Sequence, residues 1–172
     1  MSEKLNLQKF LCLQIQGMNY LLPLQEIKEI IGETKITPLP NVPNYIKGLI
    51  NLRGQVISIL DPGTRMGLAP TSEMVKDEEG RPQKKCTVIT ETSYEGQDVK
   101  LGLLVDDVIE VQSIHPDQIE GPPQASEAGI QQKFISSVVK GKEDQSMVLV
   151  LKLDALVSEL LQYQKQNTEL AS

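Results

Sequence analysis

Residues 48–61 read Gly48-Leu49-Ile50-Asn51-Leu52-Arg53-Gly54-Gln55-Val56-Ile57-Ser58-Ile59-Leu60-Asp61. Two apolar arms meet at Arg53-Gly54, and glycine at 54 supplies the left-handed backbone that a tight turn can need. The stretch is a β-hairpin, and it sets the rest of the chain in a β-rich frame. Just before it, Thr37-Pro38-Leu39-Pro40-Asn41-Val42-Pro43 cannot stay in a ladder. Each proline removes a backbone donor and restricts its predecessor, so this is an ordered, extended connector.

Working outward, residues 10–15 alternate, with Leu11, Leu13 and Ile15 on one face and Phe10, Cys12 and Gln14 on the other. Gly17-Met18-Asn19 turns the chain back into Tyr20-Leu21-Leu22, which Pro23 ends. Leu24, Ile27 and Ile30-Ile31 recur at helical spacing before Gly32, which predicts two or three helical turns. Downstream, residues 62–85 are polar, and Asp77-Glu78-Glu79-Gly80-Arg81-Pro82 reads as a mobile surface loop. Strand pattern returns at 86–90 and at 99–111. In the second, Leu101, Leu103, Val105, Asp107, Ile109 and Val111 share one face by period-two counting, and Leu104, Asp106, Val108 and Glu110 the other. Residues 134–139 form a short strand and 147–153 a strand buried on both sides. Asp154 then caps a helix with Leu156, Val157, Leu160 and Leu161 as its apolar stripe, fraying beyond about Gln164. Many short strands without βαβ alternation argue an all-β barrel or sandwich and no dinucleotide fold.

Composition narrows the function classes. Hydrophobic residues make up 40% of the 172 but aromatics only 3%, so the core is aliphatic. A formal charge of −6, with Lys84-Lys85 the only adjacent basic pair, opposes a phosphate backbone. Cys12 and Cys86 lie in apolar strand contexts, outside any C-x-x-C arrangement, and read as buried small hydrophobes. The first residues lack a secretory h-region, and no apolar run reaches about 18 residues, so a cytoplasmic protein is expected.

Chemistry is scarce. His115, the single histidine, sits beside Pro116 and reads as a surface loop residue rather than a general base. Asp106 and Asp107, with Glu110 nearby, point to opposite faces unless a turn or bulge re-aims them, so solvated carboxylates outweigh a hard-metal site. Glycines 48 and 54 spell neither a Walker nor a Rossmann loop. No catalytic residue, metal ligand or cofactor is assigned.

Taken in order, Tyr20-Leu21-Leu22-Pro23-Leu24, Ile27-Lys28-Glu29-Ile30, the proline connector, residues 46–57 with their Asn-Leu-Arg-Gly turn, and Leu101-Gly102-Leu103-Leu104-Val105-Asp106-Asp107-Val108 resemble the CheW family of chemosensory coupling proteins. The resemblance spans residues 10–161. It implies two intertwined five-stranded SH3-like β-barrels with short helices and a C-terminal helix, as one domain over 8–166 with flexible ends at 1–7 and 167–172. It also implies a non-catalytic adaptor, at membrane-associated arrays, between the cytoplasmic tip of a chemoreceptor and the regulatory domain of the histidine kinase CheA. Carried over by position, Ile27, Val105 and Val108 line the receptor groove, while Glu29, Asn51 and Arg53 serve kinase coupling. The plain alternatives are core packing for the first three and bracing of the inter-barrel hinge for Glu29 and Arg53. Asp61-Pro62-Gly63 departs from the family's usual Asp-Leu-Arg, and 62–85 is a longer, more charged excursion, which leaves open which kinase or array is served. A small β-barrel nucleic-acid binder is the competing class; it calls for a basic track interleaved with aromatics.

Overall fold

The computed structural model describes residues 6–68, 79–80, 85–122, 132–141 and 146–170. Its strands are β1 (Gln8–Ile15), β2 (Met18–Pro23), β3 (Ile27–Ile31), β4 (Ile46–Leu52), β5 (Gln55–Leu60), β6 (Cys86–Tyr94), β7 (Gln97–Val105), β8 (Asp107–Ile114), β9 (Ile119–Glu120), β10 (Ile135–Lys140) and β11 (Met147–Leu151). A short helix α1 (Pro62–Arg65) follows β5, and α2 (Leu153–Leu170) closes the chain.

Two sheets result, ordered β8-β1-β2-β11-β10-β9 and β3-β6-β7-β5-β4. The chain leaves the first sheet after β2, builds the whole second sheet, and returns at β8 to pair with β1. The expected intertwining is therefore present, but the first sheet has six strands, and no closed barrel is found among the described residues. The second sheet curls instead. Its terminal strands are β3 and β4, yet Glu29 on β3 is ion-paired with Arg53 in the turn after β4. Side chains, not a ladder, bridge these edges.

Three apolar clusters hold the sheets. Phe10, Cys12, Leu21, Ile114, Val139 and Val150 belong to the first sheet alone, and Ile50, Ile57, Ile59 and Ile89 to the second. The third is shared: Leu11, Leu13, Tyr20 and Leu22 meet Leu60, Val88, Leu101, Leu103 and Val105, with Leu153, Leu156, Val157 and Leu160 of α2. This seam is aliphatic, as the composition predicts. Cys12 is buried, whereas Cys86 is only half-buried, and both thiols are free.

Several expectations are corrected. Residues 24–31 are not a helix: only Leu24–Glu26 makes a 3₁₀ turn, and the β-branched Ile27, Ile30 and Ile31 pair with β6. Residues 99–111 are not one strand. Asp106 breaks it, its N–H donating to the Gln14 carbonyl at 2.8 Å, so β7 lies in the second sheet and β8 in the first. The polar stretch from 62 begins with α1, capped by Asp61, whose Oδ1 accepts from the Thr64 N–H at 3.2 Å. Of the proposed loop 77–82, only Glu79 and Gly80 lie within the described residues. The strand from 147 ends at Leu151, and Met147 is exposed. Asp154 lies inside the first turn of α2 rather than at its cap, and the helix runs past Gln164.

A clamp fixes α2. The Arg65 guanidinium lies 5.3 Å from the Tyr45 ring centroid and 4.8 Å from that of Phe134, and it pairs with Glu159 at 2.5 Å. Lys133 reaches the same carboxylate oxygen at 2.8 Å. Burial pushes the Glu159 carboxyl up, but the hydrogen bonds from Lys133 and Arg65 outweigh it and hold it below the usual carboxylate range.

The connector reaches β4 through Thr37, which exchanges both backbone hydrogen bonds with Leu49 at 2.8 and 2.9 Å. Gly48 makes this approach possible: a Cβ there would sit 2.1 Å from the Thr37 carbonyl oxygen, and its φ of +142° suits glycine. Gly48→Ala is therefore expected to cost about 3 kcal/mol or more, read as a lowered urea midpoint. An unchanged midpoint would show that the connector is not held where the backbone places it.

Candidate functional site

Two edge strands, each carrying a β-bulge, border the seam. On β8 the register runs Leu11↔Val111, Cys12↔Glu110, then Leu13↔Val108, which leaves Ile109 unpaired. Residues opposite each other in a ladder point to the same side, so the bulge brings Val108 and Val111 onto one face. That face is the seam side, because Leu11 and Leu13 belong to the shared cluster. The rows Leu22–Leu11–Val111 and Tyr20–Leu13–Val108 thus cross the first sheet and end at its edge in valines. Val111 is 52% exposed.

On β3 the same device recurs. Ile27 pairs with Thr90 and Glu29 with Ile89, so Lys28 is the extra residue. Ile30 lies opposite Val88, a member of the shared cluster, and Ile27 packs against that cluster. Ile27 and Ile30 therefore share the seam side while Glu29 faces away. Ile30 is 45% exposed. The two edges meet the same seam. Leu24–Glu26, which leads into β3, packs on β1, and Cys86 of β6 and Val108 of β8 pack against the same shared cluster. Burial, then the Asp107 charge, pushes the Cys86 thiol up, so it stays protonated and acts as a small apolar neighbour.

The expected groove residues are not equivalent. Ile27 and Val108 are half-buried at the seam rim, in position to be touched. Val105 is corrected: only 1% exposed, it lies in the shared core and can support the surface but not contact a partner. Val111, which period-two counting sets on the face opposite Val108, and Ile30, read at helical spacing, are the exposed apolar side chains at these two edges. Nothing in the local residue pattern marks the bulges that expose them.

Glu29, Asn51 and Arg53 do come together. Arg53 donates from Nη1 to Glu29 Oε1 at 3.1 Å and from Nη2 to Oε2, a bidentate pair. The Arg53 hydrogen bond holds the Glu29 carboxyl below the usual carboxylate range. Asn51 Oδ1 accepts from the Gly54 N–H at 2.9 Å and shapes the turn. Arg53 itself has φ +50°, beside Gly54 at +83°. A turn with two positive φ angles favours Asn-Gly, so arginine opposes local preference here. Val56, 65% exposed, stands beyond the turn.

The acidic and histidine candidates are engaged by backbone. Asp106 Oδ2 accepts from the Gly17 N–H at 3.2 Å, and Asp107 Oδ1 from its neighbour Val108 at 2.8 Å. His115 Nδ1 accepts from the Asp117 N–H at 3.1 Å and caps a 3₁₀ turn. These groups shape turns and crossovers and do not converge.

A family model described as "CheW-like domain" matches residues 9–161. The chain belongs to the CheW family. It is 26% identical over 152 residues to the probable chemotaxis protein CheW of Rhizobium etli, covering 88% of each chain. It is 30% identical to the chemotaxis protein CheW of Bacillus subtilis over 68% of this chain and 67% of that one. The crystal structure of the scaffolding protein TtCheW from Thermoanaerobacter tengcongensis superposes with a TM-score of 0.68 at 29% identity, over 85% and 89% of the two chains. The CheW-family chain is thereby a chemotaxis adaptor built on a scaffold fold.

Because Arg53 opposes its own turn, Arg53→Asn is expected to hold or slightly raise the thermal midpoint while the Glu29 carboxyl titrates at higher pH by NMR. The sign follows from the pair: it is intact above the depressed Glu29 range and is lost as pH falls through it. A midpoint lowered by more than about 4 °C would mean that the bridge holds the sheet edges together.

Proposed function

We propose that this chain is a non-catalytic cytoplasmic adaptor that couples chemoreceptors to the histidine kinase CheA, with its two surfaces serving two partners. Ile27, Ile30, Val108 and Val111 receive the helical-hairpin tip of the receptor, whose anchors recur at helical spacing. Glu29, Asn51 and Arg53, with Val56 beside them, meet the regulatory domain of the kinase. The single observation that carries the reading is the pair of bulged edge strands that turn apolar side chains outward along one seam. Exposed apolar patches rimmed by polar groups mark protein contacts.

Support for an adaptor over an enzyme comes from Asp106, Asp107 and His115, whose acceptors are taken by backbone N–H groups. Among the described residues no helix is long and apolar enough to cross a membrane. The nucleic-acid reading fares worse: Phe10, Tyr20 and Phe134 are buried, leaving few rings to stack on bases.

The test is co-sedimentation with a receptor fragment and the kinase, with kinase activity read in the same tube. Val111→Asp places an unpaired charge in an apolar contact and is expected to weaken receptor binding by roughly 2 kcal/mol, about 30-fold. Val56→Asp is expected to spare the receptor and reduce kinase incorporation. Both side chains are exposed, so unchanged circular dichroism is the control. Two folded variants with normal binding and kinase activation would sink both surface assignments.

A further inference from the structure

The first sheet begins with β8 and ends with β9, yet these opposite edges are consecutive in the chain. His115 and the 3₁₀ turn Pro116–Gln118 separate them, so this corner draws the two edges of the sheet together. A closed set of hydrogen bonds fastens it. The Asp117 N–H donates to His115 Nδ1 at 3.1 Å and the Gln118 N–H to the His115 carbonyl at 2.9 Å. In return the His115 N–H donates to Gln118 Oε1 at 3.1 Å, and Gln118 Nε2 reaches the Lys140 carbonyl at the end of β10, also at 3.1 Å. What the corner holds is short. Ile119 and Glu120 make up the whole of β9, paired with Val139 and Val138, and Ile119 packs on the first sheet's own cluster.

His115 Nδ1 has two competing neighbours. One is the Asp117 N–H that it accepts; the other is Asp117 Oδ2, 3.3 Å from the same nitrogen. A neutral ring with a bare Nδ1 serves the N–H, whereas a protonated ring has donors at both nitrogens and serves only the carboxylate. The remaining charges of the flanking elements are placed elsewhere. Lys9 of β1 is exposed and lies opposite Ser113, and Glu120 of β9 pairs with Lys140 of β10 at 2.7 Å.

We propose that His115 is a proton-operated clasp on the corner that closes the first sheet. The neutral ring caps the turn and keeps β9 seated. A proton taken from solvent onto Nδ1 turns that nitrogen toward Asp117 Oδ2 and leaves the Asp117 N–H to water. The exchange loses a helix cap and gains an exposed ion pair, and a cap contributes more than an exposed pair, so the acid form is the looser one. β8 carries Val111 and runs into His115, so the clasp also sets the freedom of that apolar edge; this consequence alone rests on the receptor surface proposed above.

NMR of the full chain tests the clasp between about pH 5 and pH 8, the range over which histidine side chains change charge. At the alkaline end the ring nitrogen shifts should show a bare Nδ1 and a protonated Nε2; a ring protonated at Nδ1 there would overturn the clasp. On acidification the protection of amides 117–120, corrected for intrinsic exchange, should fall about five-fold, the loss of one cap. His115→Asn keeps a capping oxygen and removes the titration, so its protection should stay level across the range. Asp117→Asn removes the carboxylate that receives the protonated ring and should move the transition toward acid. Equal pH dependence in the wild type and His115→Asn, or protection that does not follow the His115 titration, also overturns the clasp. None of these readouts involves the receptor, so a failed receptor surface and a failed clasp are told apart.

Discussion

Both sheets are apolar on both faces, and this one constraint organises the molecule. Leu11, Leu13 and Leu22 line one side of the first sheet while Phe10, Cys12 and Leu21 line the other. The second sheet likewise turns Leu60 and Val88 to the seam and Ile59 and Ile89 away from it. A sheet cut from its neighbour would expose a continuous aliphatic face to water, at roughly 25 cal/mol for each Å² uncovered. The topology reinforces this mutual dependence, because the second sheet is inserted between β2 and β8, which flank β1 in the first. Each sheet thus covers the seam face of the other.

The hairpin arms at 48–61, the proline connector and the aliphatic core were legible because each rests on local chemistry: a positive-φ turn, absent donors, a paucity of rings. The errors share another origin. Leu24, Ile27, Ile30 and Ile31 satisfy a helical period, but a bulge at Lys28 shifts the phase of a strand, so that i and i+3 share a face in either structure. Periodicity cannot separate the two, and pairing with β6 decides. The bulge at Ile109 had the opposite effect on β8, disguising Val108 and Val111 as residues of different faces. Asp106 looked like a strand residue, yet its carboxylate serves the β1–β2 turn through Gly17, a contact 89 positions away in sequence. Bulges and long-range caps depend on partners that no window of sequence contains.

Arg53 separates stability from purpose. Asn51 already accepts the Gly54 N–H, which suffices for the turn, and asparagine at 53 would suit the backbone better. The bidentate pair with Glu29 is exposed, and exposed pairs contribute little to folding. A residue that works against local preference and gains little for the fold is explained by what it presents outward. Here it presents an ordered guanidinium and carboxylate at the meeting of two sheet edges.

The five-residue strand β3 joins the two surfaces. Its bulge at Lys28 sends Ile27 and Ile30 to the seam side and Glu29 to the opposite side, where Arg53 holds it. Under the proposed assignment, a receptor pressing on the isoleucines acts on the same backbone that carries the Glu29 carboxylate. β3 is an edge strand: among the described residues its ladder partner is β6, and on its other side the Arg53 bridge reaches it from the β4–β5 turn. Because Ile27 packs on the shared cluster and Ile31 on that of the second sheet, a shift of β3 would alter the bridge and both apolar contacts together, so under the proposed assignment this single packed element links the two surfaces.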